Sequence, residues 1–229
     1  MKFLWQQIPS PIISEILCQN SFDGIVIDTE HGGYNTETLS NCIQVITLNK
    51  KKCFVRLTEV NKTLIRQCLD AGCDGLIFST IENVKQVNLV KEYSLYPKYG
   101  GKRGLGLVRE NLWGLNSLIS KKPKLICQIE TVKGIDNLPD ILLKNTFDYY
   151  MIGPYDLSAS IGKPGMFNSK EYAYQVKRIK DMVPGYKMAV HIPCNIEKEL
   201  KKYKDYGIIA LGMDTTFIIE KCKEAQDYA

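Results

Sequence analysis

The sequence predicts a single α/β domain folded as a (β/α)8 barrel, and three observations support this prediction. Short apolar runs rich in β-branched and aromatic residues recur eight times, and helical patterns separate them. Alternation of buried strands with amphipathic helices is typical of a parallel sheet covered by helices. The chain has 229 residues, a usual size for such a barrel, and no linker or low-complexity tract divides it. We therefore expect one domain over residues 1–229, with a doubly wound open sheet as the alternative.

The eight apolar runs place the strands in order along the chain. They lie at residues 3–8, 23–28, 52–57, 74–80, 124–130, 147–153, 186–192 and 207–213. Each is six or seven residues long, and together they are rich in the valine, isoleucine and aromatic residues that favour strands. Eight such units favour closure of the sheet into a barrel over an open sheet.

Capping residues and apolar periodicity place the helices between these strands. Pro9-Ser10-Pro11 begins the first helix, and a second is predicted over 35–49. Residues 61–71 repeat apolar side chains on one helical face. The fifth strand is followed by a predicted helix that contains Pro139. The longest irregular stretch, 96–112, holds four glycines, and such a loop in a compact domain is usually functional or interfacial.

Composition and charge exclude several classes of protein. The net charge of +5 comes from 30 basic and 25 acidic residues spread along the chain, so the sequence predicts no nucleic-acid partner. No apolar run is long enough to span a bilayer, and no signal peptide is evident, so we expect no membrane partner. The eight cysteines never show C-x-x-C spacing. Buried free thiols in a reducing, cytoplasmic setting are therefore expected.

Polar side chains gather where the predicted strands end, which in such barrels is the face that carries the active site. They are Asp28 and His31 after strand two, Arg56 on strand three, Gln128 and Glu130 on strand five, Gly153, Pro154, Tyr155 and Asp156 after strand six, and His191 on strand seven. Alternation along strand five points Gln128 and Glu130 to the same side. Because neighbouring strands lie about 4.8 Å apart, Glu130 and Asp156 can meet over one ion. Two carboxylates without a cysteine or histidine set suit Mg²⁺ or Mn²⁺ better than zinc.

Each of these residues also has a purely structural interpretation. Glu130 and Asp156 could be loop carboxylates or helix N-caps, and His31 could be a hydrogen-bonded core histidine. Arg56 could pair with an acid across the barrel mouth. The convergence of all of them on one rim favours a site.

Over nearly the whole chain, the sequence resembles the class II 2-keto-3-deoxy-acid aldolases of the HpcH/HpaI family. The motifs that carry the resemblance are FDGIVIDTEHGGYNTETL at 22–39, VRLTEVNKTLIRQCLDAG at 55–72, YPKYGGKRGLG at 96–106, QIETVKGIDNLPDIL at 128–142, GPYDLSASIGKPG at 153–165 and GMDTT at 212–216. The resemblance implies a barrel of the phosphoenolpyruvate/pyruvate-domain type. It also implies reversible aldol cleavage of a 4-hydroxy-2-oxo acid to pyruvate and an aldehyde.

The resemblance assigns roles to individual residues. Glu130 and Asp156 correspond to the metal ligands, His31 to the catalytic base, and Arg56 to the arginine that stabilises the pyruvate enolate. The metal is expected to be Mg²⁺ or Mn²⁺, with Co²⁺ as an alternative. Asp70, in the LD-x-G motif, corresponds to the partner of the histidine. Asp28 is a second supporting acid.

Other residues are expected to bind substrate. Gln128 corresponds to the glutamine of the family's QIE motif, and backbone N–H groups near Gly153 and Tyr155 are expected to hold the substrate carboxylate. The resemblance further implies a homo-oligomer, a trimer or hexamer, in which Leu105 of the glycine-rich loop reaches a neighbouring chain's site.

Departures from the family pattern fall on the aldehyde side of the site. Tyr155 stands where relatives usually have alanine, His191 where they tend to be apolar, and Ser79-Thr80 where a proline is common. The aldehyde is therefore expected to differ from the family's. Other chemistry of the same enolate, such as oxaloacetate decarboxylation or acyl-CoA cleavage, is an alternative function. A non-catalytic barrel that binds a ligand or scaffolds an assembly is another.

Overall fold

The eight predicted strands close into a parallel barrel in a computed structural model that describes residues 1–119, 121–193, 195–226 and 228. Each strand pairs with its neighbours in chain order, and the first also pairs with the last. The strands are β1 Lys2–Gln6, β2 Gly24–Asp28, β3 Lys52–Leu57, β4 Gly75–Phe78, β5 Lys124–Ile129, β6 Tyr149–Ile152, β7 Met188–Ile192 and β8 Ile208–Met213. The predicted fold class is confirmed.

Ten α-helices of the described chain cover the barrel. They are α1 Pro11–Cys18, α2 Thr36–Leu48, α3 Lys62–Asp70, α4 Val84–Ser94, α5 Val132–Asp136, α6 Leu138–Leu143, α7 Pro154–Ser160, α8 Lys170–Met182, α9 Ile196–Leu200 and α10 Asp214–Gln226. The side chains of Asn35 and Asn61 accept hydrogen bonds from backbone N–H groups in the first turns of α2 and α3, which fixes both helix starts where the sequence predicts them. The helix predicted after β5 is two helices, because Pro139 occupies the first turn of α6.

Two predicted strands, the first and the fourth, end two residues earlier than expected, each beside a local irregularity. β1 stops at Gln6 because the N–H groups of Gln7 and Ile8 donate to the Asp214 carboxylate at 2.8–3.1 Å. β4 stops at Phe78, and Thr80 takes a left-handed backbone conformation with φ 52°. Both irregularities lie at the carboxyl ends of the strands, where the site residues are predicted.

The core has two layers, one inside the barrel and one between the barrel and the helices. Large side chains fill the interior, including Phe3, Trp5 and Phe54. The outer layer joins the other faces of the strands to the buried faces of the helices. Six cysteines are buried free thiols as predicted, whereas Cys222 is exposed and Cys194 lies outside the described residues. No described helix is both long and apolar enough to cross a membrane.

Candidate active site

A cavity of about 410 Å³ opens at the carboxyl ends of the strands. Most of the residues predicted for the site line it, namely Asp28, His31, Arg56, Gln128, Gly153, Pro154, Tyr155, Asp156 and His191. They come from β2, β3, β5, β7 and the start of α7, segments far apart in sequence. The barrel therefore gathers most of the predicted site residues at one cavity, although Glu130 is buried beside it and is not a lining residue.

The floor of the cavity is an ion pair between Asp28 and Arg56 on adjacent strands. The Arg56 Nε donates to Asp28 Oδ1 at 2.9 Å, and a terminal nitrogen donates to Oδ2 at 2.6 Å. The Trp5 indole N–H donates to the same carboxylate at 3.2 Å, and the guanidinium lies 5.1 Å from the Trp5 ring centroid. Burial alone would raise the pKa of Asp28, but these donors and the Arg56 charge hold it below its ordinary value. Asp28 is thus a permanent carboxylate that fixes the orientation of Arg56.

Glu30 is a second carboxylate on Arg56. Its Oε2 lies 2.9 Å from an Arg56 terminal nitrogen and accepts a hydrogen bond from the Ser79 hydroxyl at 2.7 Å. The Arg56 guanidinium is therefore held in place by two carboxylates, those of Asp28 and Glu30. Such clamping reduces the reorganisation that Arg56 would need when charge develops beside it.

Glu130 is buried at the end of β5, and a strained residue holds it there. Its Oε1 accepts from both the backbone N–H and the hydroxyl of Thr80 at 2.6 Å, and its Oε2 accepts from the Gln128 side chain. Thr80 is β-branched with φ 52°, a conformation that costs free energy and persists only where the surroundings impose it. Burial, reinforced by the negative charges of Glu30 and Asp156, raises the pKa of Glu130 above its ordinary value.

Gly153 faces this carboxylate at the close of β6. A Cβ at that position would lie 2.4 Å from Glu130 Oε2 and 2.7 Å from Glu130 Cβ. Its own N–H donates to the Ile129 carbonyl at 3.1 Å, and Pro154 has no N–H. Sheet pairing therefore already uses the Gly153 N–H, and binding of the substrate carboxylate by the neighbouring N–H groups, such as that of Tyr155, stays a prediction. Gly153 itself leaves room for Glu130.

Asp156 lies in the first turn of α7 and is exposed at the cavity. It is not the N-cap, since that position belongs to Gly153. Within the described ranges, no group of three or more His, Cys, Asp or Glu side chains is arranged to hold a metal. Glu130 and Asp156 would thus supply two ligands, and water or substrate would have to supply the others.

The two histidines of the chain differ in environment. His31 is exposed at the rim, and its backbone N–H lies 3.3 Å from Asp28 Oδ1. His191 stacks on Trp5 with ring centroids 4.2 Å apart, and its Nε2 lies 3.1 Å from the Gly212 carbonyl. Burial lowers the pKa of His191 to about 4, so the ring is neutral at pH 7.

Two predicted site residues do not lie at this mouth. Asp70 ends α3, five residues before β4, and therefore lies at the opposite end of the barrel. It pairs with Arg103 at 2.7 Å and Arg66 at 3.4 Å, so it does not partner His31 within the chain. Leu105, two residues beyond Arg103, is half exposed and is not a lining residue of the mouth cavity.

Sequence reasoning missed three residues that shape the site, namely Trp5, Glu30 and Thr80. Glu30 is one of the polar residues at the end of strand two, within the motif DTEH between Asp28 and His31, but the resemblance assigns it no role. Thr80 is marked in the sequence only as a departure from the family's proline, and no pattern marks Trp5, because the importance of both comes from contacts across the barrel.

Comparison with known proteins places the chain in a family. The family model described as HpcH/HpaI aldolase/citrate lyase matches residues 2–220. The chain belongs to the HpcH/HpaI aldolase/citrate lyase family. This membership confirms the family predicted from the motifs and the class of enzyme, a lyase of the aldolase type.

Two kinds of curated relative are each 31% identical to the chain over the aligned residues. A 4-hydroxy-2-oxo-heptane-1,7-dioate aldolase from Klebsiella pneumoniae is 31% identical over 94% of this chain and 84% of that protein. A 2-keto-3-deoxy-L-rhamnonate aldolase from Shigella boydii is also 31% identical, over 70% of this chain and 62% of that protein. Both similarities agree with the family assignment.

Solved structures show the same fold. A family member from Burkholderia cenocepacia superposes with a TM-score of 0.91 at 21% identity and covers 100% of this chain and 93% of that one. A citrate synthase, SbnG, superposes with a TM-score of 0.85 at 24% identity, covering 99% and 91%. At these identities the likeness concerns the barrel alone.

Proposed function

We propose that the protein is a divalent-metal-dependent pyruvate aldolase that cleaves a 4-hydroxy-2-oxo acid to pyruvate and an aldehyde. One observation carries the proposal: four carboxylates lie at the same end of the barrel, and two of them hold one guanidinium in place. They are Asp28, Glu30, Glu130 and Asp156, with Arg56 between the first two. This arrangement offers an excess of negative charge for a cation and a clamped positive donor for an anionic intermediate.

The residues at the Glu130 end suit a hard divalent cation. Burial and two neighbouring negative charges disfavour the ionised form of Glu130, and a bound cation would remove that penalty. Gln128 Oε1 is buried with no hydrogen-bond donor among the described residues, so an acceptor is also available. Carboxylates and water are the ligands that Mg²⁺ and Mn²⁺ prefer. When bound, such an ion would act as a Lewis acid toward the carboxylate and 2-oxo group of the substrate.

The chain's own residues would then divide the remaining work. His31, or a water that it activates, removes the proton from the C4 hydroxyl. The C3–C4 bond breaks, the aldehyde forms at C4, and the bonding electrons pass into the pyruvate enolate. Arg56 stabilises the developing negative charge on the enolate oxygen, already oriented by Asp28 and Glu30. Protonation of the enolate at C3 gives pyruvate.

We also propose that a second copy of the chain completes the site. Asp70 and Leu105 both belong to the end of the barrel away from the mouth, where Arg103 links their segments. Leu105, Leu107, Trp113 and Leu115 are all at least half exposed there, an apolar surface that a monomer would leave in water. A partner that laid this surface over the mouth would bring both residues to a site.

A reducing, cytoplasmic setting is part of the proposal. Six cysteines are free and buried, and burial raises the pKa of thiols such as Cys18, to about 11, and Cys73, to about 12. Such thiols are unreactive and pack as small apolar side chains.

The proposal can be tested by supplying the purified protein with pyruvate, Mg²⁺ or Mn²⁺ and a panel of aldehydes, with products identified by mass. Aldol products are expected only with the metal present. Glu130→Ala and Asp156→Ala should abolish them, whereas Glu15→Ala, which removes an exposed carboxylate from α1, should not. Full activity after exhaustive chelation would exclude the metal. Trapping of a covalent pyruvate adduct by borohydride would replace the mechanism with one that uses a lysine Schiff base.

A further inference from the structure

A second cavity of about 700 Å³ adjoins the mouth of the barrel. The two cavities share Pro154, Tyr155, His191 and Pro193 as a common wall. Tyr155 and His191 are also two of the positions where the sequence departs from the family pattern. The departures therefore lie between the two cavities.

Aromatic side chains form the nearer side of the second cavity. Tyr155 packs edge-on against Phe167 with centroids 5.1 Å apart, and Phe167 packs in the same manner against Tyr172 at 5.7 Å. Tyr203 lines the cavity as well. This chain of contacts fixes the Tyr155 ring, although 60% of the residue is exposed, and presents ring faces and hydroxyls to whatever enters.

The second cavity offers polar groups without a surplus of charge. Lys202 and Glu199 line it together and are joined at 2.7 and 2.9 Å, so their charges offset each other. In the mouth cavity, Arg56 is already paired with two carboxylates. A terminal carboxylate on an acceptor aldehyde would thus meet no unpaired cation among the described lining residues.

His191 supplies a hydrogen-bond acceptor at the passage between the cavities. Its Nε2 faces the Gly212 carbonyl, which can only accept, so Nε2 carries the proton of the neutral ring. Since no hydrogen bond to Nδ1 is found among the described residues, its lone pair can accept from a hydroxyl. Burial keeps the ring neutral, with its pKa lowered to about 4. The passage thus pairs a hydroxyl acceptor, His191, with the ring and hydroxyl of Tyr155.

We propose that the second cavity is the binding site for the distal part of a long, uncharged, polyhydroxylated acceptor aldehyde, which passes between Tyr155 and His191. This inference rests on the proposed aldolase function and names its acceptor class. The mouth cavity alone is within the size range of small-molecule sites, so a short aldehyde needs nothing beyond it. An acceptor of five or six carbons would reach the aromatic wall, where sugar C–H faces pack on rings and hydroxyls find polar partners.

The test compares three aldehydes with pyruvate and metal: glycolaldehyde, a six-carbon polyhydroxylated aldehyde, and hexanal as the length-matched aldehyde without hydroxyls on its chain. A fourth aldehyde, succinic semialdehyde, adds a terminal carboxylate. The wild type should prefer the polyhydroxylated aldehyde over hexanal and over succinic semialdehyde by at least tenfold in kcat/KM. Equal or reversed preference would overturn the inference.

Two variants locate the preference in the second cavity. Phe167→Ala and the more conservative Phe167→Leu should lower kcat/KM for the six-carbon polyhydroxylated aldehyde about tenfold and fivefold, and change that for glycolaldehyde less than twofold. Tyr186→Ala removes an aromatic side chain that is 67% exposed and lines neither cavity, so it serves as the matched control. Parallel losses for both aldehydes in the Phe167 variants, or no loss for either, would show that the cavity does not bind the acceptor. Absence of aldol product with every aldehyde, glycolaldehyde included, would instead refute the aldolase function itself.

Discussion

Replacement of Gly153 by alanine tests whether the position of the Glu130 carboxylate matters for activity, because the added methyl group would displace it. The backbone of Gly153, with φ −90° and ψ 95°, is open to any residue, so the added methyl group acts by size alone. That methyl would lie 2.4 Å from Glu130 Oε2, 2.7 Å from Glu130 Cβ and 3.0 Å from Gln128 Nε2. Relief to an ordinary contact needs a displacement of roughly 1 Å, which typically costs a catalytic group about 100-fold in rate.

The expected result of Gly153→Ala is a large loss of activity with a modest loss of stability. Overpacking of this kind costs about 1–3 kcal/mol of unfolding free energy. We therefore predict a loss of about 100-fold in kcat/KM for aldol cleavage, followed by coupled reduction of released pyruvate, and a fall of a few degrees in Tm. Gly33→Ala is the matched control, because its Cβ would meet no atom within 4 Å at the same end of the barrel. Gly153→Ala activity within threefold of the wild type would refute the assigned position of Glu130.

Three further predictions test the arginine, the buried histidine and the assembly. Arg56→Lys keeps the charge but loses the paired contacts with Asp28 and Glu30, so the rates of aldol cleavage and of oxaloacetate decarboxylation should both fall about 100-fold. An unchanged rate of decarboxylation would show that Arg56 does not stabilise the enolate. The pKa of His191 is about 4 in the folded chain and near its ordinary 6.5 in the unfolded chain. The free energy of unfolding should therefore be constant, as far as His191 determines it, above pH 6.5 and should fall by on the order of 3 kcal/mol between pH 6.5 and pH 4. Urea unfolding at several pH values should show a smaller decrease in unfolding free energy in His191→Leu than in the wild type, and the wild-type decrease in His31→Leu. The same decrease in the wild type and both variants would contradict the effect assigned to His191 burial. Leu105→Glu should dissociate the oligomer, as measured by light scattering, and should lower the activity of the same sample. Leu143→Glu, at a residue of α6 that is 81% exposed, should change neither. A fully active monomer of the wild type would rule out a site shared between subunits.

The barrel could be predicted from the sequence because each strand is a local pattern. Apolar runs and asparagine caps are read from a few neighbouring residues, and both Asn35 and Asn61 cap the helices that the sequence places after them. Alternation on β5 likewise predicted that Gln128 and Glu130 share a side, and the two side chains are hydrogen-bonded to each other. These features depend on the spacing of neighbouring residues, so a single sequence is enough to predict them.

Contacts between distant segments could not be predicted in the same way. Thr80 holds Glu130 from 50 positions away and does so in a left-handed conformation that a threonine rarely adopts. Trp5 joins Asp28 to His191 through one ring, although an indole in a strand is most simply explained as core. The second cavity could not be predicted from the sequence either, since its walls come from α7, residues 165–169, α8, β7 and the segment after β7.

The assignment of Asp70 shows a different limit. The motif that contains it was found, but the chain pairs Asp70 with Arg103 at the far end of the barrel. A sequence motif can indicate that a residue belongs to an active site, but it does not show whether that site is in the same subunit or in a neighbouring one. Its role at a neighbouring mouth stays a prediction until the assembly is known.

Exchange of the pyruvate methyl protons for deuterium, measured by NMR without any aldehyde, tests metal-dependent enolate formation at this site. This reaction needs the metal and the enolate but not the acceptor, so it isolates the Glu130 and Asp156 end of the cavity. We expect exchange with Mg²⁺ or Mn²⁺, no exchange after chelation, and a loss of at least 100-fold in Glu130→Ala with wild-type exchange in Glu15→Ala. Exchange that persists at the wild-type rate in Glu130→Ala or without metal would contradict this expectation.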